Sequence, residues 1–137
     1  MTNDMANALS DQDKTTLRIA AYGAITLLAA ADAAGGKPHK IATNGSIALG
    51  SATGLVGHVL AEYPKGKDLN GRSVAEIADR VLPALTAAMG VLKNQVPDEA
   101  GNFRGTVLTA VEAATQHGQG PVMADMIRKI TSALDAA

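Results

Sequence analysis

His58 and Glu62 are the pair whose types and spacing could do acid–base chemistry. Four residues apart on a helix, they would be neighbours on one face. A carboxylate beside an imidazole favours the protonated ring, so the pair could serve as a base or begin a metal site. If the segment is wound as a helix, Ser51 falls on the same strip and adds a hydroxyl. Two ligands do not make a metal centre, and no His-x-x-x-His or Glu-x-x-His spacing supplies more. His39 and His117 are far away in sequence. A histidine–glutamate pair is more often a structural ion pair than a catalytic one. The expectation is therefore no catalytic residue, no metal and no cofactor, with an enzyme using His58 and Glu62 kept as an alternative.

Tyr22 lies in the middle of an apolar stretch, residues 19–31. A buried tyrosine usually finds a partner for its hydroxyl. The alternative is a phenol lining a cavity, since helical bundles hold ligands between their helices. His58, Glu62, Ser51 and Tyr22 are thus the candidate ligand-binding residues, and the matching ligand is a small apolar molecule. Tyr22, Tyr63 and Phe103 are the whole aromatic complement, so aliphatic and small side chains must fill the core.

Residues 66–73 nearly fit the phosphate-loop pattern, with Gly66, Gly71 and Ser73 in place, but Arg72 stands where the pattern requires lysine. That motif must also follow a strand and open a helix. Here an apolar helical segment and Pro64 precede it, and Ser73 reads instead as the cap of the next helix, with Glu76 completing a capping box.

The element that must position His58, Glu62 and Ser51 is residues 41–61, apolar and almost uncharged yet holding Gly45, Gly50, Gly54 and Gly57. Stepped at about 100° per residue, Gly50, Gly54, Gly57 and Ala61 fall on one narrow face. Leu49, Leu55, Val56, Val59 and Leu60 spread over the other side. Each glycine inside a helix costs roughly 1 kcal/mol against alanine, and close approach of a second backbone is what would offset it. The pattern predicts one helix over 38–62 with a bare seam of Gly50, Gly54, Gly57 and Ala61, packed on helix 1 or on a second copy of itself. The competing reading breaks the helix at Asn44-Gly45.

The remaining elements follow from apolar periodicity and punctuation. Helix 1 is predicted over 11–34, apolar nearly all round and therefore central. Helices over 74–94, 102–117 and 121–136 follow, with Pro83 expected to kink the first of them and Pro97 to Gly101 read as a turn. Asp125 and Lys129 pair at i, i+4. The fold class is all-α: a compact bundle of about five helices, with Gly/Ala-rich helices 1 and 2 closely packed. Residues 1–9 are expected to be a disordered tail and 10–137 a single helical domain.

At 137 residues with no cysteine and a net charge of −1, the chain can bury a core without disulfides. Scattered charges argue against nucleic-acid binding. The polar N-terminus does not read as a secretory signal, and neither apolar run reads as a membrane span. A cytoplasmic, soluble protein is expected. Its function is expected to be that of a non-catalytic interaction or structural module acting as a homodimer, because helices 1 and 2 are apolar over more than one face. The alternative is a carrier or sensor of a small apolar ligand.

Overall fold

A computed structural model describes residues 9–32, 38–65, 73–116 and 120–137. Among them the chain forms six helices: α1 (Asp11–Ala31), α2 (Pro38–Gly50), α3 (Gly54–Leu60), α4 (Val74–Gln95), α5 (Pro97–Ala114) and α6 (Pro121–Asp135). The architecture is all-α, with six helices rather than about five. No described helix is long and apolar enough to cross a membrane.

α1 starts where its cap dictates. The Ser10 hydroxyl accepts from the Asp13 N–H at 3.0 Å and the Asp13 carboxylate accepts from the Ser10 N–H at 3.3 Å. This reciprocal pair satisfies two donors that the first turn would otherwise leave open. Leu9, just before the cap, is buried in the core. Leu9, expected in a disordered tail, is thus part of the core; the rest of that expectation, residues 1–8, lies outside the described residues. α1 is the central element. Leu17, Ala20, Ala21, Tyr22, Ala24, Ile25, Leu27 and Leu28 are all buried, and every other helix packs on it. It ends at Ala31 with Asp32 as C-cap, short of the expected 34.

α4 opens on Ser73, whose hydroxyl accepts from the Glu76 N–H at 3.2 Å. Ile77, Val81, Leu85, Ala88 and Leu92 form its buried stripe, and the helix continues through Pro83 to Gln95. Its most extensive partner is α1, while that of α2 is α5. α6 lays Met123, Met126, Ile130 and Leu134 on the core. The Thr86 hydroxyl ties it to α4 by donating to the Ala133 carbonyl at 2.6 Å. On its surface Asp125 pairs with Lys129 at 3.2 Å and also with Arg128.

Two of the differences from the sequence expectation matter for the site. α5 begins at Pro97 rather than at 102. Proline at the first helical position has its φ preset and gives up an N–H that would have no partner anyway. Asp98 and Glu99 then complement the positive end of the helix, so the stretch read as a turn is the first turn of α5. α5 also ends at Ala114, before the expected 117, and His117 lies outside the described residues.

The second difference is larger: the single helix over 38–62 is two helices. α2 tightens at its end, with the Ser51 and Ala52 N–H groups donating to the Ala48 and Leu49 carbonyls at 3.2 Å each. Gly54 then takes φ +71°, a left-handed conformation that side-chain-bearing residues resist, and the chain leaves in a new direction as α3. The competing break at Asn44-Gly45 does not occur, since both residues are helical. Gly45 is bare for packing reasons: a Cβ there would lie 2.7 Å from the Ile25 side chain on α1.

Of the two helices expected to be apolar over more than one face, α1 is covered by the chain itself, whereas α2 keeps Ile47 exposed. α1 is enclosed by the other helices, and among the described residues only Ile47, Tyr63 and Val122 are large apolar side chains left exposed.

Candidate functional site

α3 carries His58 and is seven residues long, too short to persist by backbone bonding alone. Leu55, Val56, Val59 and Leu60 bury its inner side. Both ends are held by side chains from elsewhere. At the N-terminal end, Thr53 caps without a side-chain bond, and α5 does that work instead. The Glu99 carboxylate accepts from the Val56 N–H at 3.0 Å. Asn102 Nδ2 donates to the Thr53 carbonyl at 2.9 Å and lies 3.4 Å from each Glu99 carboxylate oxygen. Glu99 is only 9% exposed, so its bonds replace the water it has lost.

At the C-terminal end the donors come from α1. Arg18 Nε donates to the Val59 carbonyl at 2.9 Å, and the Tyr22 hydroxyl donates to the Leu60 carbonyl at 2.5 Å. Arg18 also pairs with the Glu62 carboxylate at 3.2 Å. The Tyr22 ring meets Tyr63 edge-on, centroids 5.0 Å apart at 62°. Burial, then the neighbouring Tyr63 phenol, holds the Tyr22 hydroxyl above its ordinary pKa. A carboxylate thus sits at the positive end of α3 and a guanidinium at the negative end, the arrangement a helix dipole favours.

Against this frame the candidate residues separate. His58 is exposed and makes no hydrogen bond or ion pair with any described residue. Glu62 lies beside it on the same cleft but gives its charge to Arg18, so the expected His58–Glu62 pair is replaced by an Arg18–Glu62 pair. The reason is the fold: α1 brings a guanidinium to the end of α3, and its planar, permanently charged fork is well matched to a carboxylate. Ser51 is not part of that cleft. Its hydroxyl donates to the Ile47 carbonyl at 3.0 Å, and it borders depressions beside α2 and α5. Tyr22 is buried with its hydroxyl committed to Leu60. The structure brings His58 and Glu62 to one place and leaves Ser51 and Tyr22 outside it. The described residues contain no cluster of three or more histidine, cysteine, aspartate or glutamate side chains suited to a metal ion.

The glycine seam is not formed. With the chain turning at 51–53, Gly50, Gly54, Gly57 and Ala61 no longer share a helical face. Gly50 has nothing within 4 Å of where a Cβ would be. A Cβ on Gly54 would lie 2.9 Å from Glu99 Oε1, and one on Gly57 would lie 2.2 Å from the Ala52 carbonyl oxygen. Ala61 is exposed and borders the His58 cleft. Gly54 and Gly57 are bare to allow the sharp corner from α2 into α3, not to seat another helix.

Sequence reasoning passed over Arg18, Glu99 and Asn102. Two signals were present. Arg18 leads directly into an apolar run, where a cation must find a partner. Glu99 follows Pro97 at the spacing of a helix start, which would have moved it from a turn into a first turn. Comparison of the chain with protein families, with curated proteins and with solved structures finds no match.

Proposed function

We propose that this chain is a non-catalytic interaction module that works as a homodimer, paired through the outer face of α2. The observation carrying this reading is the joint exposure of Ile47 and Tyr63, at 64% and 68%, around one depression bordered by Ala42, Ser46 and Gly50. Two large apolar side chains left in water beside small residues form a surface that association would cover. The small residues let a second backbone come close enough for dense dispersion contact. Isologous antiparallel crossing of two α2 helices supports the choice of a second copy as partner. It brings the exposed Lys40 of each copy toward the negative end of the other α2. The residues best equipped for chemistry, Arg18, Tyr22 and Glu99, are engaged in holding α3, which favours a binding role over catalysis.

The test is molar mass by light scattering on the full chain. A dimer is expected at high micromolar concentration, and Ile47→Lys, at a side chain 64% exposed, should give a monomer that keeps the wild-type helical circular dichroism. A wild-type chain that stays monomeric at that concentration sinks the pairing.

A further inference from the structure

We propose that the cleft between α1 and the end of α3 binds the phosphate group of a small molecule. This does not rest on the pairing of α2, whose depression shares no residue with this cleft. The cleft is about 520 Å³, within the range of small-molecule sites. One wall is the N-terminal half of α1, where Asp11, Lys14 and Arg18 recur at helical spacing. The other is the chain around the end of α3, which supplies His58, Glu62 and Lys65. These are the charged and titratable groups on the cleft. Beside His58 they comprise three basic side chains, Lys14, Arg18 and Lys65, and two acidic ones, Asp11 and Glu62.

The charges are not equally committed. Lys14, His58 and Lys65 have no hydrogen-bond or ion-pair partner among the described residues. Arg18 is the anchored member. Its Nε is fixed on the Val59 carbonyl at 2.9 Å, and its side chain is only 18% exposed. A guanidinium held by the backbone presents its remaining N–H groups in a set direction and loses little freedom on meeting an oxyanion. Its present partner is replaceable, because the Glu62 side chain is 76% exposed and can turn into water. Incoming phosphate would take the place of that carboxylate on Arg18, with Lys14 and Lys65 closing from either wall and His58 adding a donor. Phosphate fits better than a carboxylate ligand because its oxygens can meet several donors converging from two walls. Glu62 thus acts as an internal competitor, and removing its charge should strengthen binding rather than weaken it.

The experiment is an NMR titration of the full chain with inorganic phosphate and, in a second arm, with phenyl phosphate. Saturable shifts centred on Lys14, Arg18, His58, Glu62 and Lys65 are expected. The double variant Lys14→Ala/Lys65→Ala should bind about tenfold more weakly with unchanged Tm, whereas Lys129→Ala on α6 should bind as the wild type does. Glu62→Gln should bind about threefold more tightly, on the scale of one exposed charge pair. Tighter binding of phenyl phosphate supports a phosphate ester as the ligand, and equal or weaker binding supports the free anion. Shifts that do not saturate, or that survive the double variant undiminished, overturn the site. Glu62→Gln binding no tighter than the wild type overturns the competition on Arg18.

Discussion

α6 and α3 reach the same core by different physics. α6 is long, begins at a proline, and sets Met123, Met126, Ile130 and Leu134 on one stripe; burial of that stripe holds it. α3 is half as long and carries two glycines. It stays in place because Glu99 and Asn102 hold one end and Arg18 and Tyr22 the other. A helix with enough apolar surface needs little help at its ends. One too short to bury much depends on side chains that reach it from distant parts of the chain.

Substitutions can break or sharpen this contrast. The largest effects should come from Ile130→Ala on α6 and Gly54→Leu at the start of α3. Ile130→Ala removes fully buried apolar volume and should cost about 2–5 kcal/mol. Gly54→Leu forces a left-handed residue, at about 1–2 kcal/mol, and also displaces Glu99 from the Val56 N–H. Urea unfolding measures both, and a wild-type midpoint for the Gly54 variant would show that the corner is not required.

Next comes Glu99→Ala, which strands the buried Val56 N–H and should cost about 1–3 kcal/mol. Glu99→Gln keeps an acceptor there and should cost less. Hydrogen exchange should show the loss concentrated in residues 54–60; loss spread evenly over α6 as well would argue against a separate clamp.

Tyr22→Phe removes the bond to the Leu60 carbonyl and should cost about 1 kcal/mol near neutral pH. The fold favours the neutral phenol and so raises its pKa. Its contribution is complete below the ordinary phenol value of 10.0 and is lost as pH rises beyond that, because the unfolded chain gives up the proton first. The wild type should therefore lose stability faster than Tyr22→Phe along the alkaline limb. Parallel curves for the two proteins would mean the hydroxyl is not held as described.

The smallest effect separates corner from seam. In the Ile47→Lys background, where the pairing is removed, Gly50→Ala adds a methyl where nothing lies within 4 Å and should be neutral or stabilising by up to about 1 kcal/mol. A helix-packing seam requires the opposite sign.

Much of the fold was legible because helical periodicity is local. Val81, Leu85 and Leu92 on α4, and Met123, Met126, Ile130 and Leu134 on α6, announce their face within a few turns. The cap at Ser73 is legible for the same reason, needing only a residue three positions on. The site was legible in part. His58 and Glu62 do share a cleft, but nothing near them in sequence points to Arg18 as the carboxylate's partner. The glycines misled because a bare position has two physical uses, close approach and a left-handed turn, and composition alone does not distinguish them. Gly45 serves the first and Gly54 the second.

By itself the sequence determined the helical class, the central place of α1 and the apolar stripes of α4 and α6, because each depends on neighbours within a turn or two. Tertiary structure alone decided where α2 ends, which glycines must be bare, and which charges meet. Those outcomes depend on groups some forty residues apart, as Val56 is from Glu99 and Arg18 from Val59. A hydrogen bond of about 3 Å between such groups exists only after the helices carrying them have packed.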